Sequence, residues 1–221
     1  AEMCDFVQKT LRAACVANGQ TLESLSGIGL GVAGLIDARR GLVYWSPTMT
    51  ERNVPLREIL EAALPMPVFI DNDANLVTKA EQLFGDGQDV SDFLVVTIGS
   101  RGCGAEFGHT KVQLDGALCR CGQRGCLEAY ISDYALLREA GTLNLPSTGT
   151  PHARLDALFQ AAKEGDSAAG SIFNRASRMF ALGLANLINI FDPKLIILSG
   201  ERMQFDYFYA QAVLDAVKSN V

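Results

Sequence analysis

The chain has 221 residues, 48% of them hydrophobic, which is enough to bury a sizeable core as one domain or as two lobes. Its net charge of −6 supplies no basic field for nucleic acid, and no apolar run reaches the length of a membrane span. Six cysteines, not spaced as a secreted disulfide framework, and the lack of a signal-peptide pattern predict a cytoplasmic α/β protein with no membrane partner.

Apolar side chains at Met3, Phe6, Val7, Leu11, Ala14 and Cys15 recur at a helical period and predict a helix over 2–18. Residues 28–37 read as one buried strand interrupted by Gly29, Gly31 and Gly34. Glycine at a strand end marks close approach, by a ligand or by another stretch of chain. Residues 39–53 are polar and predict turns. A short helix over 54–64, started by Pro55, leads to a strand over 65–71.

A helix follows to about Phe84, and two readings stand for Asn72 and Asp73 at its start. They cap the helix, or Asp73 is held ionised by the helix dipole for use on a ligand. Beyond it come a strand over 92–99, helices over 150–165 and 166–191, a strand over 194–200, and a final amphipathic helix from about Phe205. The helix over 166–191 is apolar on more than one face and is expected to be central. Strands alternating with helices predict largely parallel sheets with crossover helices.

The densest chemistry lies between Glu106 and Glu128. His109, Cys119, Cys121 and Cys126 fall within eighteen positions of a chain that holds only two histidines. Three thiolates and an imidazole make a closed tetrahedral set suited to structural zinc, with no open position for water or substrate. Gly122 and Gly125 permit the tight backbone of a Cys-x-Cys-x4-Cys knuckle. Glu106 and Glu128 flank the ligands, and a metal that only fastened the loop would not need them. The knuckle is therefore expected to present these carboxylates.

Four stretches together resemble the ROK family of repressors, open reading frames and kinases: 31–37 (GlyValAlaGlyLeuIleAsp), 71–75 (AspAsnAspAlaAsn), 104–109 (GlyAlaGluPheGlyHis) and 119–128 (CysArgCysGlyGlnArgGlyCysLeuGlu). The resemblance implies a two-lobed actin-like ATPase / sugar-kinase (ribonuclease H-like) fold. A small lobe would span 1–90 and a large lobe 91–221, with the knuckle at 104–128 and a hexose bound between the lobes. It also implies that Gly34, Asn72, Asp73, Glu106, His109 and Glu128 serve the sugar. His109 would also join Cys119, Cys121 and Cys126 on Zn2+, and in a kinase Asp73 would be the general base. Ionised carboxylates give short, directional bonds to hydroxyl donors, which suits sugar readout.

The departures from the family pattern define the expected branch. The opening Asp-x-Gly-Gly-Thr hairpin of the kinases is absent, so the fold is expected to be incomplete at its N-terminus. A second phosphate hairpin is missing between Ser100 and Arg101, and the closing helix that returns to the small lobe is missing at the end. SerGlyGluArgMet at 199–203 replaces the consecutive glycines at which kinases of the family take nucleotide, putting Glu201 where phosphates would sit. ProThrMet at 47–49 lacks the sugar-touching asparagine of the kinases, and ArgAsnValProLeu at 52–56 resembles the repressor branch.

The expected function is thus the sugar-binding effector region of a transcriptional repressor, a homodimer or tetramer. It would meet operator DNA through a helix-turn-helix upstream of residue 1. The alternatives are an ATP- and Mg2+-dependent hexose or amino-sugar kinase, and a zinc-stabilised interaction domain with no ligand.

Overall fold

The computed structural model describes residues 2–99, 107–142 and 149–221. They fall into two compact units, 2–89 and 90–99 with 107–221. No helix among the described residues is long and apolar enough to cross a membrane.

The first unit opens on α1 (Glu2–Ala17), which buries Val7 and Cys15. The stretch 28–37 is two strands rather than one. β1 (Ile28–Val32) ends in a turn at Ala33 and Gly34, and β2 (Leu35–Asp37) leaves in a new direction. Gly34 causes the break. Its φ is +126°, and a Cβ there would collide with the carbonyl oxygen of Trp45.

A second correction concerns 39–53, where β3 (Leu42–Trp45) pairs antiparallel with β2 in place of the expected turns. Helix α2 (Leu56–Glu61) is shorter than expected, with Pro55 as its N-cap residue and Leu56 and Leu60 buried. β4 (Val68–Asn72) lies parallel to β1, register Ile28 to Val68 and Val32 to Asn72. Alternate residues Val68 and Ile70 point into a core with Ile28, Val43, Leu60 and Met66. Helix α3 (Asp73–Phe84) follows β4 without a loop.

The second unit begins with β5 (Phe93–Thr97). After the metal-ligand loop come α4 (Glu128–Ile131) and α5 (Asp133–Thr142). Helix α6 (Pro151–Lys163) starts on a Thr150 cap that accepts from the Ala153 N–H, with Pro151 at its first position. The long α7 (Ser167–Phe191) is capped by Asp166, which accepts from the N–H groups of Ala168 and Ala169. It ends on Asp192, whose left-handed conformation (φ 46°) returns its N–H to the Ile188 carbonyl. As expected, α7 is central: Ile172, Phe173, Ala176, Phe180 and Leu184 enter the core with Leu136, Leu155 and Phe208.

β6 (Leu195–Ser199) runs parallel to β5, pairing Phe93 with Leu195 and Thr97 with Ser199. The last helix, α8 (Gln211–Lys218), begins six residues later than expected from Phe205. Short 3-10 turns occupy Glu201–Gln204 and Asp206–Phe208, because Phe205, Tyr207 and Phe208 are drawn into the aromatic core beside Phe159 and Phe173.

Candidate metal centre

The four expected ligands come together. One donor atom from each of His109, Cys119, Cys121 and Cys126 lies within 4.8 Å of all the others. The Sγ atoms of Cys121 and Cys126 are 3.8 Å apart, and His109 Nδ1 lies 3.7 Å from Cys119 Sγ. A tetrahedral ion with zinc's bond lengths needs S···S of about 3.8 Å and S···N of about 3.6 Å, which these two pairs match, and the other donors, all within 4.8 Å of one another, need close by no more than about 1 Å. The remaining described cysteines, Cys4 and Cys15, lie apart on α1, and Cys103 falls outside the described residues.

The backbone explains how ten residues aim three sulfurs at one point. Gly122 N donates to Cys119 O, Cys119 N to Gln123 O and Gly125 N to Ala117 O, which nest around one tight turn as a short hairpin in which Leu118 bridges antiparallel to Arg124. Gly122 (φ 87°) and Gly125 (φ 74°) are both left-handed. A Cβ on Gly122 would meet open space, whereas one on Gly125 would collide with the Gln113 carbonyl oxygen. Lys111 bridges antiparallel to Cys126, and its ammonium donates to Cys126 Sγ at 2.9 Å and to Gln123 Oε1 at 2.6 Å. Three thiolates on a divalent ion leave one excess negative charge, which this cation offsets.

Tyr134 on α5 approaches from the other side, with its hydroxyl 3.6 Å from Cys119 Sγ. Burial, with the neighbouring Cys119 sulfur, pushes that hydroxyl up to about 12, so it remains a donor at neutral pH. The guanidinium of Arg120 stacks 4.0 Å from the ring centroid of Tyr134. Cys119 and Cys126 are buried and Cys121 is exposed. Phe107 and Leu127 seat this loop on α7 at Gly183, where a Cβ would stand 2.8 Å from Leu127 and 3.0 Å from Phe107.

Glu128 is the first residue of α4, and its Oε2 lies 3.3 Å from His109 Nδ1 and 3.9 Å from Cys119 Sγ. The carboxylate is therefore anchored beside the ligand set while one third of its side chain stays exposed. Glu106 and the junction of Ser100 with Arg101 lie outside the described residues.

In the first unit Asn72 is the N-cap of α3. Its Oδ1 accepts from the N–H groups of Ala74 (2.9 Å) and Asn75 (3.2 Å), and its Nδ2 donates to the Gly34 carbonyl at 2.8 Å. Asp73 occupies the first helical position, with Oδ1 accepting from Ala74 N at 3.0 Å. Capping accounts for Asn72, and chain packing accounts for the glycine at 34. Gly31 has a packing reason too, since a Cβ there would stand 2.9 Å from Leu76.

Asp71 was not singled out as a site residue, yet it fastens this corner. It accepts from Lys79 Nζ (2.7 Å), Asn75 Nδ2 (3.0 Å) and Asn72 N (2.8 Å). Burial pushes its carboxyl up, but these three bonds outweigh that and hold it below the usual range. The i, i+4 and i, i+8 spacing of Asp71, Asn75 and Lys79 was the available signal.

The sequence model of the ROK family matches residues 2–105 and 97–221. A xylose repressor of Caldicellulosiruptor bescii is 29% identical over 96% of this chain, and this chain spans 58% of that protein's length. A glucokinase of Streptomyces coelicolor is 31% identical over 85% of this chain and 68% of its own. The crystal structure of a ROK hexokinase from Thermus thermophilus matches 98% of this chain and 76% of that chain, with a TM-score of 0.76 and 30% identity. The fold is the actin-like ATPase / sugar-kinase fold expected from the sequence, and the chain belongs to the ROK family.

Proposed function

We propose that the chain is the sugar-binding effector part of a ROK-family transcriptional regulator. The observation that carries the sugar reading is the Glu128 carboxylate, which stands beside the four-ligand set, 3.3 Å from His109, and is still partly exposed. A carboxylate fixed in this way accepts from a sugar hydroxyl without first losing rotational freedom. Zn2+ is the ion that His109, Cys119, Cys121 and Cys126 would hold, in a structural role with every position filled by protein. Glu106 is proposed to serve the sugar beside Glu128, and Gly34, Asn72 and Asp73 are the sugar residues proposed for the first unit.

Regulation would be a population shift. Sugar binds one arrangement of the protein better than another, and the favoured arrangement changes the affinity of an upstream DNA-binding module for its operator. A homodimer or tetramer in the cytoplasm fits that scheme. The repressor relative, which aligns over nearly the whole chain, supports this branch.

A second reading, an ATP- and Mg2+-dependent sugar kinase, is favoured by Asp73. Its carboxylate sits at the first position of α3, and a glucokinase relative aligns over 85% of this chain. One experiment separates the two. Calorimetry with glucose, xylose, N-acetylglucosamine and N-acetylmannosamine should find a sugar that binds without nucleotide. The same sugar incubated with Mg·ATP should yield no sugar phosphate, and accumulation of sugar phosphate would establish the kinase instead.

A further inference from the structure

In open parallel sheets, ligands lie beyond the carboxyl ends of the strands, and phosphates favour bare backbone at glycines there. The second unit has the backbone for this. β5 and β6 end side by side, with Ile98 N donating to Ser199 O at 2.8 Å, and each strand is followed by a left-handed glycine, Gly99 (φ 83°) and Gly200 (φ 110°). A Cβ on Gly200 would collide with the Ile98 carbonyl oxygen, so only glycine lets the chain double back over the end of β5. What lies across Gly99 is a side chain of this protein, because a Cβ there would collide with Cγ of Arg202.

Arg202 is only 7% exposed, and each of its three guanidinium nitrogens donates a hydrogen bond. Nε donates to Asp133 Oδ1 at 3.0 Å, Nη2 donates to Asp133 Oδ2, and Nη1 donates to His152 Nδ1 at 3.0 Å. Arginine has no acceptor, so His152 meets it with an unprotonated Nδ1, and its Nε2 faces Asp156 at 3.4 Å. The Phe205 ring lies 5.7 Å from the guanidinium carbon. The bidentate Asp133 carboxylate neutralises the cation, so the pair offers phosphate no net positive charge. Glu201, the residue that argued against nucleotide in the sequence, is exposed; its neighbour fills the space.

We propose that Arg202, clamped by Asp133 and His152, occupies the phosphate position at the ends of β5 and β6, so that this unit takes no nucleoside triphosphate. This deepens the effector reading and rests on it only in expecting a sugar to bind alone. The test is calorimetry of the full chain with Mg·ATP and, separately, with pyrophosphate. No binding is expected up to millimolar concentration in the wild type, whereas saturable binding would overturn the proposal.

The double variant Arg202→Gly/Asp133→Asn, checked for folding by circular dichroism, should gain at least tenfold in affinity for Mg·ATP or pyrophosphate. An unchanged, folded double variant would also overturn it. If that variant does not fold, the wild-type titration decides alone. The sugar panel on the same wild-type sample keeps the two readings apart. Sugar without nucleotide supports both, neither ligand bound leaves only the occupied phosphate position standing, and both bound defeats it.

Discussion

The Nδ1 atom of His109 stands 3.3 Å from Oε2 of Glu128, and the same nitrogen lies 3.7 Å from Sγ of Cys119. An Nδ1 that ligates an ion has no proton to donate, so Glu128 is a close neighbour of the ligand set rather than a hydrogen-bond partner of that nitrogen. The orientation of Glu128 follows from the integrity of a loop that the metal would hold, and damage to either should be felt by the other.

Cys121→Ser is the clean test of that link. Cys121 is exposed while Cys126 is fully buried, so replacing Cys121 removes a thiolate without disturbing the packed interior. Wild-type protein should carry about one zinc per chain. The variant should lose most of it, by elemental analysis after dialysis, and should bind sugar more weakly. Full metal retention would remove Cys121 from the ligand set.

The two glycines of the knuckle should behave differently. Gly122→Ala meets only backbone strain, about 1 kcal/mol for a left-handed residue, because its Cβ enters open space. Gly125→Ala meets the same strain plus a collision with the Gln113 carbonyl, and no flexible side-chain end is there to yield. Metal content should survive the first change and fall with the second. Equal metal content in both variants would show that the turn at Gly125 is not required.

Glu128→Gln keeps the shape of the side chain and removes its charge. A hydrogen bond to a charged acceptor contributes about 1 kcal/mol more than one to a neutral acceptor, so sugar affinity should fall roughly fivefold. The thermal midpoint should change little, since the carboxylate is partly exposed and not part of the core. Unchanged sugar affinity by calorimetry would take Glu128 out of the sugar set.

Which features could be read from the sequence follows from how local their causes are. The helix starts at Thr150 and Asp166 and the four-ligand knuckle depend on side chains a few residues apart, so spacing alone reveals them. β3 stayed hidden because Leu42–Trp45 is too short to show a period and is flanked by turn residues. Only its pairing with Leu35–Asp37 makes it a strand. The break at Gly34 depends on the Trp45 carbonyl eleven residues away. The Arg202 clamp is the extreme case: Gly99, Asp133, His152 and Arg202 meet only because β5 and β6 pair across a hundred residues of chain.

Asp71 gives a stability signal that depends on pH. Its folded carboxyl is held below the ordinary value, so the stabilisation is fully present above about pH 3.9, the unfolded value, and is lost as pH falls through the folded value. Urea midpoints of wild type and Asp71→Asn should differ at pH 7 and converge as the pH falls below about 4. A difference that stayed constant down to pH 2 would show that the ionised carboxylate is not what fastens Lys79 and Asn75.

Asn72 and Asp73 are adjacent in the chain, but the structure gives them different structural duties, and that difference separates stability from binding. Asn72 caps α3 through Oδ1 and holds the Gly34 carbonyl through Nδ2, so Asn72→Ala should cost about 1–2 kcal/mol of stability before any ligand is considered. Its effect on sugar affinity therefore cannot be assigned to a sugar contact. Among the described residues Asp73 makes one bond, to the N–H of Ala74, which the Asn72 cap already serves. Asp73→Asn keeps an oxygen at that position and should stay within about 0.5 kcal/mol of wild type by urea denaturation. In the proposed sugar set its loss of charge should weaken sugar binding about tenfold or more. A variant with wild-type stability and wild-type sugar affinity would leave Asp73 with neither duty, and the kinase reading would lose its base as well.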